Sequence, residues 1–199
     1  MYHKLIQRLN QIIPLTTAQQ QKLCQVVQVE ERPKNWILLE QDTIANHIYF
    51  LVEGIVRSYC IVDGKEITQW FGVADHFCVA HISFATRNPS QETLILVTDC
   101  KLLSISYQNL QALFQEDTIW IDLNRRLLTH YHNALLQRVL SFQTQSTLER
   151  YENFLTDHPT LEDKIALGHL ASYLGMTPET LSRLRARHRK RKTRSTSAN

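Results

Sequence analysis

The stretch LGHLASYLGMTPETLSRLRAR, residues 167–187, constrains the fold more than any other part of the sequence. Apolar residues recur at helical spacing on both sides of Gly175, which predicts two short helices joined by a tight turn. Thr177 offers a capping hydroxyl, and Pro178 suits the first position of the second helix, where no backbone donor is needed. We therefore predict a helix-turn-helix. Its predicted core consists of Leu170, Ala171, Leu174, Gly175, Leu181 and Leu184.

Charge is distributed unevenly along the 199 residues. Residues 183–199 hold 8 of the 22 basic residues and no acid, so residues 1–182 have 14 basic against 19 acidic residues and a net charge of −5. A cationic end on an anionic body indicates that this end binds a polyanion. A polybasic tail that merely solubilises the chain or faces a membrane is the alternative interpretation.

Composition and motifs argue against several protein classes. No stretch approaches the roughly 18 apolar residues of a membrane span, and residues 1–15 lack the apolar core of a signal peptide, so we expect a cytoplasmic protein. The four cysteines form no close pair and no two histidines are four residues apart, so we expect no metal and no iron–sulfur cofactor. We also expect no enzyme, because the sequence has no nucleophile elbow, P-loop or dinucleotide fingerprint.

The remaining chain divides into helical and strand-rich segments. Thr16 and Gln19 form a capping box, which predicts a helix that ends near Val29. Short runs of β-branched and aromatic residues lie between residues 30 and 107. Turn signals such as Asp63–Gly64 divide these runs, a pattern typical of an antiparallel sandwich or barrel-like roll.

Residues 117–145 contain no Gly or Pro and predict one long helix with two apolar stripes. One stripe is formed by Trp120, Leu123, Leu127, Tyr131 and Ala134, and the other by Leu128, Leu135, Val139 and Phe142. The first stripe suits packing on the chain's own roll, and the second suits the same helix of a second copy, so we predict a homodimer. A single core-facing helix within a monomer is the alternative.

These parts together resemble the Crp/Fnr family, the cyclic-AMP receptor protein and its relatives. The resemblance is most specific in LASYLGMTPETLSR, residues 170–183, and it extends to IYFLVEGIVRSYCIVDGKEIT, residues 48–68. It implies an α+β fold with an N-terminal antiparallel β-roll, of the jelly-roll type that binds cyclic nucleotides, in residues 1–116. A long dimerisation helix in residues 117–145 and an all-α helix-turn-helix domain in residues 146–199 complete this fold.

The same resemblance implies a function. Proteins of this type are dimeric, sequence-specific transcription regulators that bind double-stranded DNA, with RNA polymerase as a further candidate partner. One other function class remains open for this chain, a β-roll sensor or interaction module whose basic tail binds RNA or anionic membrane without sequence preference. Two capped helices before the tail argue against such a simple anchor.

The chain departs from the family pattern in the nucleotide-binding cassette. Nucleotide-binding members have a Gly–Glu pair and, further along, Arg followed by Ser or Thr. Here Val79 and Ala80 stand at the first pair of positions and Ser90 and Gln91 at the second, while Arg87 lies three positions early. A buried cyclic phosphate needs a fixed cation. We therefore expect no cyclic-nucleotide cofactor, and either another effector near these five residues or none.

A second departure lies beyond the helix-turn-helix. Family members continue past the recognition helix into a small β-hairpin, the wing. Here that helix leads directly into the basic stretch 187–194. We therefore expect a helix-turn-helix without a clear wing, in which cationic charge replaces the wing's phosphate contacts.

A helical wheel assigns roles along the second helix of the motif. Glu179, Ser182 and Arg183 lie opposite the apolar positions, so we predict that these three residues contact base edges in the major groove. The predicted contacts to the DNA backbone are Thr177, Thr180, Arg185, Arg187 and Lys190. As alternatives, Glu179 stabilises the positive end of the helix dipole, and Arg183 is a solvated surface cation.

Overall fold

The computed structural model describes the backbone of residues 1–196 and the side chains of residues 1–188. The chain divides into two compact units. Unit 1 comprises Met1–Ile61 and Gln69–Asn133, and unit 2 comprises Val62–Thr68 and Ala134–Asn199.

Helices and strands alternate along the described residues. The helices are α1 (Tyr2–Asn10), α2 (Thr17–Val26), α3 (His81–Thr86), α4 (Tyr107–Glu116), α5 (Thr118–Thr144), α6 (Thr147–Asp157), α7 (Leu167–Leu174) and α8 (Pro178–Thr196). The strands are β1 (Gln28–Arg32), β2 (Ile37–Leu39), β3 (His47–Glu53), β4 (Val56–Val62), β5 (Lys65–Gly72), β6 (Phe77–Cys78), β7 (Thr93–Leu96) and β8 (Cys100–Ser106). Among the described helices, none is long and apolar enough to cross a membrane.

The strands form two four-stranded sheets, and every strand pair whose register is resolved is antiparallel. The first sheet has the strand order β1-β8-β3-β6, and the second has the order β2-β7-β4-β5. The antiparallel β-roll expected from the sequence is therefore confirmed, as is the predicted single helix α5. The structure also contains the two local features predicted from the sequence, a helix cap and a tight turn. The capping box of α2 forms, and Asp63 and Gly64 have positive φ values of 50° and 73°.

Both faces of the first sheet are apolar. Side chains alternate along each strand, so every strand contributes residues to both faces. Leu51 and Leu102 belong to a core cluster that includes residues of both sheets, so they face the roll interior. Phe50 and Leu103 belong to a second cluster with residues of α1, α2, α4 and α5, so they face a helical layer. Helix α5 contributes Trp120, which is buried in this layer.

Two elements differ from the sequence-based expectation. Helix α2 ends at Val26, and the next residues form edge strand β1, in which Gln28 pairs with Ser104 of β8. The sequence of this strand, QVEER, is polar and lacks the apolar pattern by which strands are recognised. It forms a strand because its backbone pairs with β8 at the edge of the sheet. Helix α3 was not predicted from the sequence. It is short, and Ser83 and Phe84 are its buried residues.

Candidate nucleic-acid interface

Helices α6, α7 and α8 of unit 2 enclose an apolar core. Five of the six residues predicted to form the core of the motif are buried there: Leu170, Ala171, Leu174, Leu181 and Leu184. The sixth, Gly175, is exposed at the turn. Helix α6 adds Tyr151 and Phe154, which are also buried. The sequence places these residues at helical spacing, so each helix presents one apolar side to the other two.

The turn between α7 and α8 depends on Gly175. This residue takes a left-handed conformation, with φ of 64°, and the Met176 N–H donates to the Ala171 carbonyl over 3.0 Å. This bond is typical of a helix that ends at a glycine. The next helix begins at once, because the Thr177 hydroxyl accepts a hydrogen bond from the Thr180 N–H over 3.2 Å.

Two arginines hold the C-terminal end of α7. Arg138 of α5 donates to the Tyr173 carbonyl, and Arg150 of α6 donates to the Leu174 carbonyl, each over 3.0 Å. The Arg138 guanidinium also lies 4.1 Å from the centre of the Tyr173 ring. These carbonyls are among those that a helix leaves without internal partners, so both cations satisfy and neutralise the negative end of α7. No local sequence pattern predicts these contacts.

Phe142 of α5 also belongs to this cluster. A Cβ atom added at Gly175 would lie 2.6 Å from its Cε1 atom, so the ring fills the space that the glycine leaves open. Phe142 lies on the stripe that the sequence predicts to face a second copy. The contact with Gly175 covers only part of its ring, and Phe142 is still 42% exposed, so its place on that stripe stays a prediction.

The tip of the β4–β5 hairpin, residues 62–68, contacts the other side of α7 within unit 2. The Thr68 N–H donates to the Ser172 hydroxyl over 2.9 Å, and His169 lies 3.8 Å from the Glu66 carboxylate. Because the hairpin and the arginine cluster both contact α7, the orientation of the motif's first helix is fixed on two sides.

The outer side of α8 carries the residues predicted to contact bases. Glu179, Ser182 and Arg183 are exposed, together with Arg187 one turn later. The Glu179 backbone N–H at the helix start, then the Thr177 hydroxyl and Arg183, lower the pKa of the Glu179 carboxyl. The carboxylate is therefore a charged hydrogen-bond acceptor at neutral pH.

The residues predicted to contact the DNA backbone divide into three groups. Thr177 and Thr180 lie at the helix start, where their hydroxyls are 3.2 Å apart, and Arg187 is exposed. Lys190 lies outside the residues whose side chains are described. Arg185 does not point toward solvent as expected. Its guanidinium pairs with the Glu162 carboxylate over 2.6 Å, and both side chains are less than 20% exposed.

The chain resembles known proteins in sequence and in structure. The cyclic nucleotide-binding domain family matches residues 29–117. The structure resembles a protein of Eubacterium rectale described as a transcriptional regulator of the Crp/Fnr family, with a TM-score of 0.69, 19% identity and coverage of 85% of this chain and 82% of the other. FixK2 of Bradyrhizobium japonicum gives a TM-score of 0.69 at 18% identity, over 84% and 86% of the two chains.

Sequence similarity decides the assignment. The transcriptional regulator flp of Lacticaseibacillus casei is 30% identical over 164 residues, which cover 75% of this chain and 71% of flp. The chain belongs to the Crp/Fnr family. It is therefore a transcription regulator of the Crp/Fnr type, and the resemblance noted in the sequence is confirmed.

The residues at the family's nucleotide-cassette positions lie in different surroundings. Val79 borders a cavity on the helical side of the first sheet, whereas Ala80 borders a separate groove beside β2. Ser90 is buried and donates to the Glu92 carbonyl over 2.8 Å, and Gln91 is exposed. Arg87 donates to the Ala45 carbonyl and stacks on Tyr107, with its guanidinium carbon 4.1 Å from the ring centre.

The Arg185–Glu162 pair leads to a prediction about stability. Replacing Arg185 with alanine removes the cation that pairs with the Glu162 carboxylate and leaves the Tyr151 hydroxyl, 2.6 Å away, as its one remaining side-chain partner among the described side chains. We expect the free energy of unfolding to fall by about 1–3 kcal/mol, because the carboxylate keeps its desolvation cost without its cation. Thermal unfolding followed by circular dichroism measures this change.

Arg183 provides the matched control, because it lies two residues earlier on the exposed side of α8. Arg183→Ala is expected to leave the unfolding temperature unchanged and to weaken DNA binding. If both variants unfold at the wild-type temperature, Arg185 has no structural role and its assignment as a phosphate contact is restored.

Proposed function

We propose that this chain is a homodimeric regulator that binds double-stranded DNA in a sequence-specific manner, with α8 in the major groove. The division of α8 into two sides carries the proposal. Leu181 and Leu184 are buried in unit 2, while the charged and polar residues of the other side are exposed. An α-helix fits the major groove, and the residues near its N-terminus reach the base edges.

Glu179, Ser182 and Arg183 supply different hydrogen-bonding chemistry on that exposed side. The Glu179 carboxylate accepts from the amino group of a cytosine, and the Arg183 guanidinium donates twice to a guanine. The Ser182 hydroxyl donates or accepts. A surface with one acceptor, one double donor and one hydroxyl discriminates among base pairs, which a purely cationic surface does not.

Contacts to phosphate would position this reading surface. Arg187 adds an exposed cation one turn beyond Arg183. Thr177 and Thr180 lie at the N-terminus of α8, where backbone N–H groups and the helix dipole favour an anion. Lys190 stays a proposed phosphate contact on the strength of the sequence. These contacts add affinity that depends on salt but not on sequence.

Helix α5 supports the proposed homodimer. Four large apolar side chains are between 47% and 60% exposed within two turns of this helix: Leu135, Leu136, Val139 and Leu140. Contiguous exposed apolar surface marks an interaction site. A second copy of α5 would cover it, as in a two-stranded coiled coil. Two copies would then present two reading helices to half-sites about 34 Å apart.

We further propose that the effector is not a cyclic nucleotide. Near the position where the family's Arg–Ser pair would hold a phosphate, the structure has an acid, Glu92. Its carboxylate accepts hydrogen bonds from Ser58, which is fully buried, and from Trp70 Nε1, and burial raises the pKa of Glu92. An acid disfavours an anionic ligand at this place, and the nearest cation in sequence, Arg87, is already bonded elsewhere.

Glu179 offers a direct test of base reading. Replacing Glu179 with alanine is expected to relax the preference at one base position of each half-site, which costs about 1–3 kcal/mol of discrimination. Binding to non-specific DNA should not weaken, because the variant removes a negative charge. Sequencing of DNA selected by the variant and by wild type measures the preference at every position.

Asp163→Ala is the control for this test, since it removes an exposed acid of unit 2 that lies outside α8. It should leave the selected motif unchanged. If Glu179→Ala and wild type select the same motif, Glu179 stabilises the helix start and does not read a base.

A further inference from the structure

A cavity of about 110 Å³ lies in unit 1 between the first sheet and the helical layer. Phe50 and Leu103 line it from the sheet, Leu110 from α4, and Leu123 and Leu127 from α5. Most of its wall is apolar. A void of this kind lowers stability because the atoms around it lose packing partners, so a bound molecule recovers contacts that the empty protein lacks.

This cavity is distinct from the roll interior. Side chains alternate along β3 and β8, and most of the apolar residues that line the cavity belong to the helix-facing core cluster. Ile48, Val79 and Leu110 border the cavity as well, but they pack against the other cluster. The roll interior lies on the opposite face of the sheet, where Leu51 and Leu102 pack. A ligand in the cavity therefore occupies a place other than the family's nucleotide cassette.

The size and chemistry of the cavity define its ligand. An apolar cavity of about 150 Å³ stays dry and binds benzene in an engineered protein. Polar side chains are few here, and those that border the cavity are His81, Asn124 and Tyr131. The Tyr131 hydroxyl accepts a hydrogen bond from the Phe77 N–H over 3.0 Å, so one of its lone pairs is occupied. Water finds too few partners in such a site, whereas a compact apolar group fits it.

We propose that this cavity binds a compact apolar molecule about the size of one aromatic ring. A single polar substituent on the ring would point toward Asn124 or His81, of which His81 is exposed and marks the way in. Six residues of α5 border the cavity: Trp120, Leu123, Asn124, Leu127, Leu128 and Tyr131. The bound molecule thus lies between this helix and the first sheet. The inference does not depend on DNA binding and is tested without DNA.

Titration of the full chain with benzene, phenol and indole, followed by methyl ¹H–¹³C NMR, tests the site. Saturable shifts are expected in Leu103, Leu113 and Leu123, with dissociation constants in the millimolar range or tighter, as small ligands with few atoms allow. Methyl groups of the roll interior, such as those of Leu51, should shift less. An absence of saturable shifts at the cavity methyl groups overturns the proposal.

Variants with larger side chains in the cavity wall test whether the probes bind inside the cavity. Leu110→Phe is expected to lower the affinity for all three probes at least tenfold, and Val79→Ile, which adds one methylene at the wall, is the milder second variant. Leu148→Phe adds the same bulk as Leu110→Phe on the outer surface of α6, 38% exposed, and should bind the probes like wild type. Unchanged affinity in folded Leu110→Phe and Val79→Ile also overturns the proposal.

Discussion

Replacing Leu135 and Val139 together with glutamate is expected to convert the protein from a dimer to a monomer. Both side chains lie on the exposed apolar face of α5, so two glutamates per copy would place four like charges in a face that excludes water. A monomer contacts one half-site only. We therefore expect affinity for a palindromic site to fall on the order of 100-fold or more, because the second half-site no longer binds as part of the same molecule.

Sedimentation velocity and DNA-binding titrations measure the two effects on the same preparation. Asn133→Glu with Gln137→Glu is the matched control, since it adds two charges at the same spacing beside the apolar face, at exposed polar positions. This control should remain dimeric. A Leu135/Val139 double variant that is folded, dimeric and binds DNA like wild type contradicts the proposed interface.

Gly175→Val is expected to disrupt the helix-turn-helix. The φ of Gly175 is 64°, and a β-branched residue is a steric outlier there. Its Cβ would also lie 2.6 Å from an atom of the Phe142 ring. We expect a loss of about 2–4 kcal/mol in the stability of unit 2 and a loss of specific DNA binding with it. Thermal unfolding and DNA titration report the two effects.

Gly168→Val is the control that shows whether the cost of valine is specific to position 175 or is the same at any glycine of the motif. Gly168 lies in α7 and has open space where a Cβ would stand, so valine there should cost well under half as much. In a Gly175→Val background, Phe142→Ala removes the clash but not the backbone strain, so it should restore part of the lost stability. Equal destabilisation by valine at both glycines contradicts the role assigned to Gly175.

Local sequence signals predicted the helix-turn-helix well. Its boundaries depend on interactions between residues that are near in sequence, such as the bond from Met176 to Ala171 and the cap that Thr177 forms on α8. The same holds for the capping box of α2. These patterns can be recognised in the sequence because the hydrogen bonds that begin or end a helix join residues within about one turn.

Contacts over long sequence distances were not predictable. Arg185 has the spacing of a solvent-facing residue, yet Glu162, 23 positions earlier, pairs with it. No sequence signal assigns a role to Arg138 or Arg150, and folding brings both to the end of α7. Edge strand β1 was missed because its polar residues gain their structure from one partner, β8. The cavity behind α5 likewise arises from packing between distant segments.

Selection of bound DNA from a random pool tests most directly whether this chain is a dimeric, sequence-specific regulator. We predict that the wild-type chain enriches one inverted repeat, with the two half-sites centred about 10 base pairs apart. Retention of DNA without any enriched motif would contradict sequence-specific recognition. It would favour instead a protein whose basic C-terminal residues bind polyanions without reading their sequence.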